Sequence, residues 1–279
     1  MKTKNVFSFN SANILTLGFT SLVSLMGFLW PFFTPSQAGH PQWIFLLAVP
    51  LSLLLFLVSV SNENLDAKSV ALLAVLSALI AALRPMGTGA VGIEPMWFVL
   101  IISARVFGPS FGFLLGATSM LLSALLTGGI GPWLAYQCFA AAWIGLGVGL
   151  IPRKVRGSQE LFLLIMYGII AAEFFGIAMD LQFWPWSVGA GTQLSYIPGA
   201  DISVNLGRFF SYHFLSAMAW DIPRAIFTTL LIAISGKPIL AALRRAHTKA
   251  AFLTQAEFVT AREKASSELK QSSPKTDAL

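Results

Sequence analysis

Glu173 and Asp180 stand seven residues apart in a run, 160–183, that is otherwise mostly apolar. Seven residues are two turns of an α-helix, so both carboxyls point the same way. Asp221 and Arg224, three apart in another apolar run, can pair on one helix face, and Pro223 between them removes a backbone donor. Arg84 and Glu94 bracket the glycine-rich stretch MGTGAVGIEP, and Trp133, Tyr136 and Gln137 follow the turn TGGIG. A charge inside a bilayer costs about 2.5–3.5 kcal/mol on insertion scales, so each needs a partner or a ligand. The chemistry on offer is recognition of a small solute by acids, bases, an amide and aromatic rings. The candidate binding residues are Glu94, Trp97, Trp133, Tyr136, Gln137, Glu173, Asp180, Trp220, Asp221 and Arg224. Structural roles compete for the same residues. Asp221 and Arg224 neutralise each other, Glu173 can pair with Arg84 or Arg224, and the tryptophans can form an interfacial belt. Asp180 sits near the headgroups, and His213 reads as an interfacial residue rather than a ligand.

Signatures of catalysis are missing. None of the three histidines, His40, His213 and His247, lies in an HExxH pair, and no Walker A loop occurs. No cluster has metal-ligand spacing, and no cofactor is expected. The single cysteine, Cys138, rules out an internal disulfide and reads as a packing residue. An enzyme is therefore not expected.

The elements that position these groups are membrane helices. Of the 279 residues, 56% are hydrophobic and only 11% charged, too few to cover a soluble surface; the mean hydropathy is +0.74. Apolar runs predict an all-α integral membrane protein with eight spans, near 13–33, 43–60, 70–83, 96–107, 110–127, within 127–152 after its opening turn, 160–183 and 212–235. The run 96–107 is short for a bilayer and predicts a helix that tilts or borrows from the glycine-rich loop before it. The stretch 184–205 reads as a long loop, 246–269 as a possible helical continuation, and the last residues as disordered. The first run lacks a small-residue cleavage site directly after it and reads as a span rather than a leader.

Placing both termini in the cytoplasm puts fifteen of the 18 basic residues on that side, leaving Arg84, Arg208 and Arg224 outside. The excess follows the positive-inside rule and explains the net charge of +6 without nucleic acid. The acids, bases and tryptophans then gather toward the outer half. Small residues at four-residue steps form packing seams: Ala74, Ala78 and Ala82; Gly112 and Gly116; Ala141, Gly145 and Gly149; and Gly168, Ala172 and Gly176.

The segments AVLSALIAALRPMGTGAVGIE, ARVFGPSFGFLLGA, TGGIGPWLAYQCFAAAWIGLGVG and WDIPRA resemble substrate-binding S components of energy-coupling factor (ECF) transporters. The likeness spans about 68–245. It implies a six-helix binding core there, an added helix pair in 1–67 and a polar cytoplasmic tail in 246–279. It also implies a multi-pass protein of the prokaryotic plasma membrane that takes up a vitamin-like solute from outside, capped by the loop 85–95. Its implied partners are a transmembrane coupling subunit and two ATPase subunits, docked on Ala74 and Ala78. The resemblance favours cobalamin or a related corrinoid, while the outer aromatic residues fit flavin, thiamine and other heterocycles equally. A stand-alone transporter coupling a proton to Glu173 or Asp180 is the alternative.

Overall fold

The computed structural model describes residues 9–33, 41–61, 67–87, 92–189 and 191–249. Among these, all regular structure is helical: α1 (Ser11–Phe33), α2 (Pro41–Ser61), α3 (Ala67–Leu83), α4 (Met96–Phe107), α5 (Pro109–Thr127), α6 (Leu134–Gly149), α7 (Gly157–Ser187), α8 (Ile202–Ser216) and α9 (Met218–Lys249). A 3₁₀ turn, Arg84–Gly87, ends α3 where Pro85 disfavours further α-helix. Six of the helices are long and apolar enough to cross a membrane, and α4 and α6 are shorter apolar helices.

The shortness of α4 follows from its place. Eleven of its 12 residues are buried, and α3, α5, α6, α7 and α9 all pack around it. A helix about 18 Å long need not match the hydrocarbon thickness when protein rather than lipid surrounds it. The short run thus forms a central helix of the bundle.

The seam between α5 and α6 holds the core together. A Cβ built on Gly145 would overlap the Gly112 carbonyl oxygen, and one on Gly116 would overlap that of Ala141. The two backbones are in direct contact, which only residues without side chains permit. Lipid supplies no hydrophobic drive between helices, so dispersion across this seam and its neighbours must do so.

The α1–α2 hairpin packs on α6, α7 and α8. Trp143 on α6 donates to the Ser21 hydroxyl at 3.1 Å, and Phe28 meets the Tyr136 ring edge-on at 4.8 Å. This leaves α3 at the margin of the bundle, against α4 and α5.

One boundary needs correction. The stretch expected to be a loop up to residue 205, with a span starting at 212, instead forms α8 over Ile202–Ser216, breaks at Ala217 and begins α9 at Met218. Asn205, Phe209 and His213, at four-residue spacing, form the buried ridge of α8. This helix is not among the apolar helices fit to cross a membrane, so the last span starts with α9. At its other end α9 runs on to Lys249. The rest of the expected helical tail lies outside the described residues.

Gly145→Leu tests the seam. Overpacking of this kind costs about 1–3 kcal/mol even where a core can adjust, and here backbone blocks adjustment. The variant should lose monodisperse yield and melt well below wild type in detergent; an unchanged melting temperature would contradict the contact.

Candidate functional site

Arg224 organises one end of the molecule. It projects from the start of α9 and is 6% exposed. Its Nε donates to Glu94 Oε2 at 3.0 Å, and its terminal nitrogen donates to Asp221 Oδ1 one turn back. The guanidinium also lies 5.3 Å from the centre of the Phe175 ring. Glu94 Oε2 accepts a second bond, from the Trp97 indole. One cation thus joins the loop before α4, the start of α9 and the α7 face carrying Phe175. Gly176 explains the close fit, because the Asp221 carboxylate lies where its Cβ would be. The expected Asp221–Arg224 pair forms, with Glu94 as an additional partner.

His213 organises the neighbouring cluster. Its side chain is 1% exposed, so it is not the surface residue that its position suggested. Its Nδ1 lies 2.9 Å from Asp180 Oδ2 and its Nε2 3.0 Å from Glu173 Oε1. With both carboxyls ionised each ring nitrogen donates, which is the imidazolium form. Glu173 therefore pairs with His213, not with Arg84 or Arg224. Burial would lower the imidazole pKa, but the bonds from Glu173 and Asp180 outweigh it and hold it above its ordinary value of 6.5. Glu173, His213 and Asp221 each place one donor atom within 4.8 Å of the others. Both imidazole nitrogens are engaged by carboxylates in this structure.

The two clusters meet at a cavity of about 240 Å³. It is lined by Phe175, Gly176, Met179 and Asp180 of α7, by Tyr212 and Ser216 of α8 with Ala217 after it, and by Trp220, Asp221 and Arg224 of α9. Of the residues proposed from the sequence, Asp180, Trp220, Asp221 and Arg224 line it. Glu94 and Glu173 stand behind that lining as partners of Arg224 and His213, and Trp97 as a donor to Glu94. Gln137 belongs to a separate pair, accepting from Arg84 at 2.9 Å. Trp133 is 40% exposed and covers Gly131, while Tyr136 is buried against Phe28 of α1; neither is among the lining residues. Phe175, Met179 and Tyr212 are lining residues the sequence did not single out.

The opposite end carries a second buried cluster, against the expectation that polar groups gather at one end alone. Arg105 donates to Glu160 Oε1 at 2.7 Å and to the carbonyls of Ile151, Pro152 and Val155, and Arg244 donates to the same Glu160 oxygen. Arg224 and Arg244 are 20 residues apart on α9, about 30 Å along a helix. The clusters therefore lie a bilayer's hydrocarbon thickness apart.

A family model described as "ECF-type riboflavin transporter, S component" matches residues 64–245. No curated protein and no solved structure matches the chain.

The His213 geometry sets a pH dependence. A pKa raised in the folded state adds stability that is complete below the unfolded value and is lost as pH rises through the folded one. Amide exchange in α8 should therefore accelerate more than in α9 between about pH 5 and about pH 9, after correction for intrinsic rates. His213→Gln should remove the difference; equal changes in α8 and α9 of the wild type would refute the imidazolium bridge.

Proposed function

The chain belongs to the family of S components of ECF-type riboflavin transporters, and from that premise we propose that it captures a flat vitamin outside and delivers it inward with an ATP-driven coupling complex. It is a multi-pass membrane protein and the substrate-binding subunit of an energy-coupling factor transporter. The family is not enzymatic, and the ATPase work belongs to partner subunits.

The observation that carries the reading is the cavity between α7, α8 and α9, held open by paired charges inside an otherwise apolar bundle. Eight spans with both termini in the cytoplasm put that cavity on the outer side. The distribution of basic residues supports this orientation, as does the buried Arg105–Glu160–Arg244 cluster at the opposite end. The loop 85–95 is the cap. Its described end supports that role: a Cβ on Gly92 would overlap the Trp220 carbonyl oxygen, so the chain there lies directly on the start of α9.

The family's name points to riboflavin as the first solute to test. At about 240 Å³ the cavity lies below the roughly 300–1,000 Å³ of pockets for drug-sized molecules, which weighs against a solute as large as the corrinoid suggested by the sequence motifs. Trp220, Tyr212 and Phe175 supply aromatic surface for a flat ring.

Docking to the coupling subunit falls to α3. Ala71, Ala74, Val75, Ala78 and Ala82 are exposed along one side of it, and the α1–α2 hairpin packs elsewhere. Small side chains permit close helix approach while adding little affinity, which suits a module that binds and releases its partner.

Replacing Ala74 and Ala78 together by Trp tests the assignment. ATP-driven riboflavin uptake should fall about tenfold or more, equivalent to roughly 1.4 kcal/mol in docking, while riboflavin binding to the purified chain stays as in wild type. Undiminished uptake would remove α3 from the docking face. Uptake by the lone chain under an imposed proton gradient would favour the secondary-transporter alternative.

A further inference from the structure

Hydrogen-bond capacity on the cavity lining is unequal, and the surplus is of donors. Arg224 spends two of its three guanidinium nitrogens on the protein: Nε donates to Glu94, and Nη1 to Asp221 and the Ala172 carbonyl. Nη2 makes no hydrogen bond among the described residues, and it is not one of the fully buried polar atoms that lack a partner. Arg224 is otherwise buried and lines the cavity, so the nitrogen that stays accessible is presented there. Tyr212 accepts from the Ser187 hydroxyl at 3.0 Å, which leaves its own O–H to give. The Trp220 indole N–H has no acceptor among the described residues. Acceptors are scarcer. Asp221 Oδ2 is packed on Gly176 and out of reach, and Asp180 already has one oxygen on His213.

Nη2 is the strongest of these donors. Its bond would be charge-assisted, about twice as strong as a neutral one. The planar guanidinium is fixed by the bonds at Nε and Nη1 and by Phe175, 5.3 Å from its carbon. Little side-chain freedom is therefore left to lose when a solute arrives. An N–H in so buried a side chain costs stability while it is unmade, and an acceptor in the cavity would restore that.

We infer that the solute is held by its own acceptor atoms: it presents an edge with a carbonyl-type oxygen to Arg224 Nη2 and a second acceptor to Tyr212. The inference rests on the reading of this cavity as the solute site. It adds the chemical face by which the solute is read, and it makes Tyr212 a specificity-determining donor. In a flavin the matching edge is the dioxopyrimidine, which carries two carbonyl oxygens beside ring nitrogens that accept.

The test titrates the purified full-length chain by calorimetry with riboflavin and its 2-thio, 4-thio and 5-deaza analogues, each of which replaces one acceptor by a poorer one or by C–H. At least one analogue should bind about tenfold more weakly than riboflavin, the scale of a charge-assisted bond lost at a buried site. Arg224 is left in place, because it also holds Glu94 and Asp221. In Tyr212→Phe, shown folded by its melting temperature and elution profile, riboflavin should weaken about fivefold. The penalty for one analogue should shrink there, since the bond it breaks is already gone. Equal affinities for all four flavins in the wild type, or uniform weakening of all four in Tyr212→Phe, would overturn the inference and leave the flavin assignment standing. Folate, whose pterin edge also carries a carbonyl, and thiamine, whose rings carry none, complete the panel. Folate bound without any flavin, and weakened about fivefold in Tyr212→Phe, would sustain the inference and overturn the flavin assignment. Folate bound without flavin and indifferent to Tyr212→Phe, thiamine bound alone, or no binding at all would overturn both.

Discussion

A guanidinium buried among apolar helices must be answered by carboxylates, and Arg224 is the position where this protein meets that demand. Removing one partner of such a pair costs about 3–5 kcal/mol, because the remaining charge stays buried alone. Glu94 and Asp221 therefore constrain more than themselves. Through them the loop entering α4 and the first turn of α9 take fixed positions, and Gly176 must remain without a side chain so that the carboxylate can lie on α7.

The far end solves the same problem with the signs exchanged. There Glu160, 1% exposed, is the buried group, and Arg105 and Arg244 converge on one of its oxygens. Arg105 also satisfies three carbonyls of the turn between α6 and α7. Between the two clusters the core is almost purely steric: Gly112 on Gly145, Gly116 on Ala141, and α4 enclosed by its neighbours. Such a bundle, pinned by ion pairs at both ends and close-packed in the middle, is suited to moving as one body within a membrane.

What the sequence revealed follows from the range of each interaction. Helix content, the glycine seams and the Asp221–Arg224 pair depend on spacings within one helix or on composition, and they were readable. The His213 contacts span 33 and 40 residues and the Arg105–Glu160 contact spans 55, so spacing along the chain could not reveal them. The helix α8 was hidden by the glycines and prolines preceding it, although Asn205, Phe209 and His213 at four-residue steps carried a usable signal. Trp133 and Tyr136, proposed from their place beside a turn, are not among the lining residues of the α7–α8–α9 cavity. Trp133 lies over Gly131 and Tyr136 meets Phe28 of α1, contacts that no spacing along the chain announces.

The decisive measurement is purification of the full-length chain from its native membrane in mild conditions, followed by native mass spectrometry of the complex and its retained small molecule. Binding at a cavity of this size, coupled to partners that hydrolyse ATP, predicts one membrane coupling protein, two ATPase subunits and a vitamin-sized ligand. A chain that isolates without those subunits, and carries solute into sealed vesicles without ATP, would contradict it.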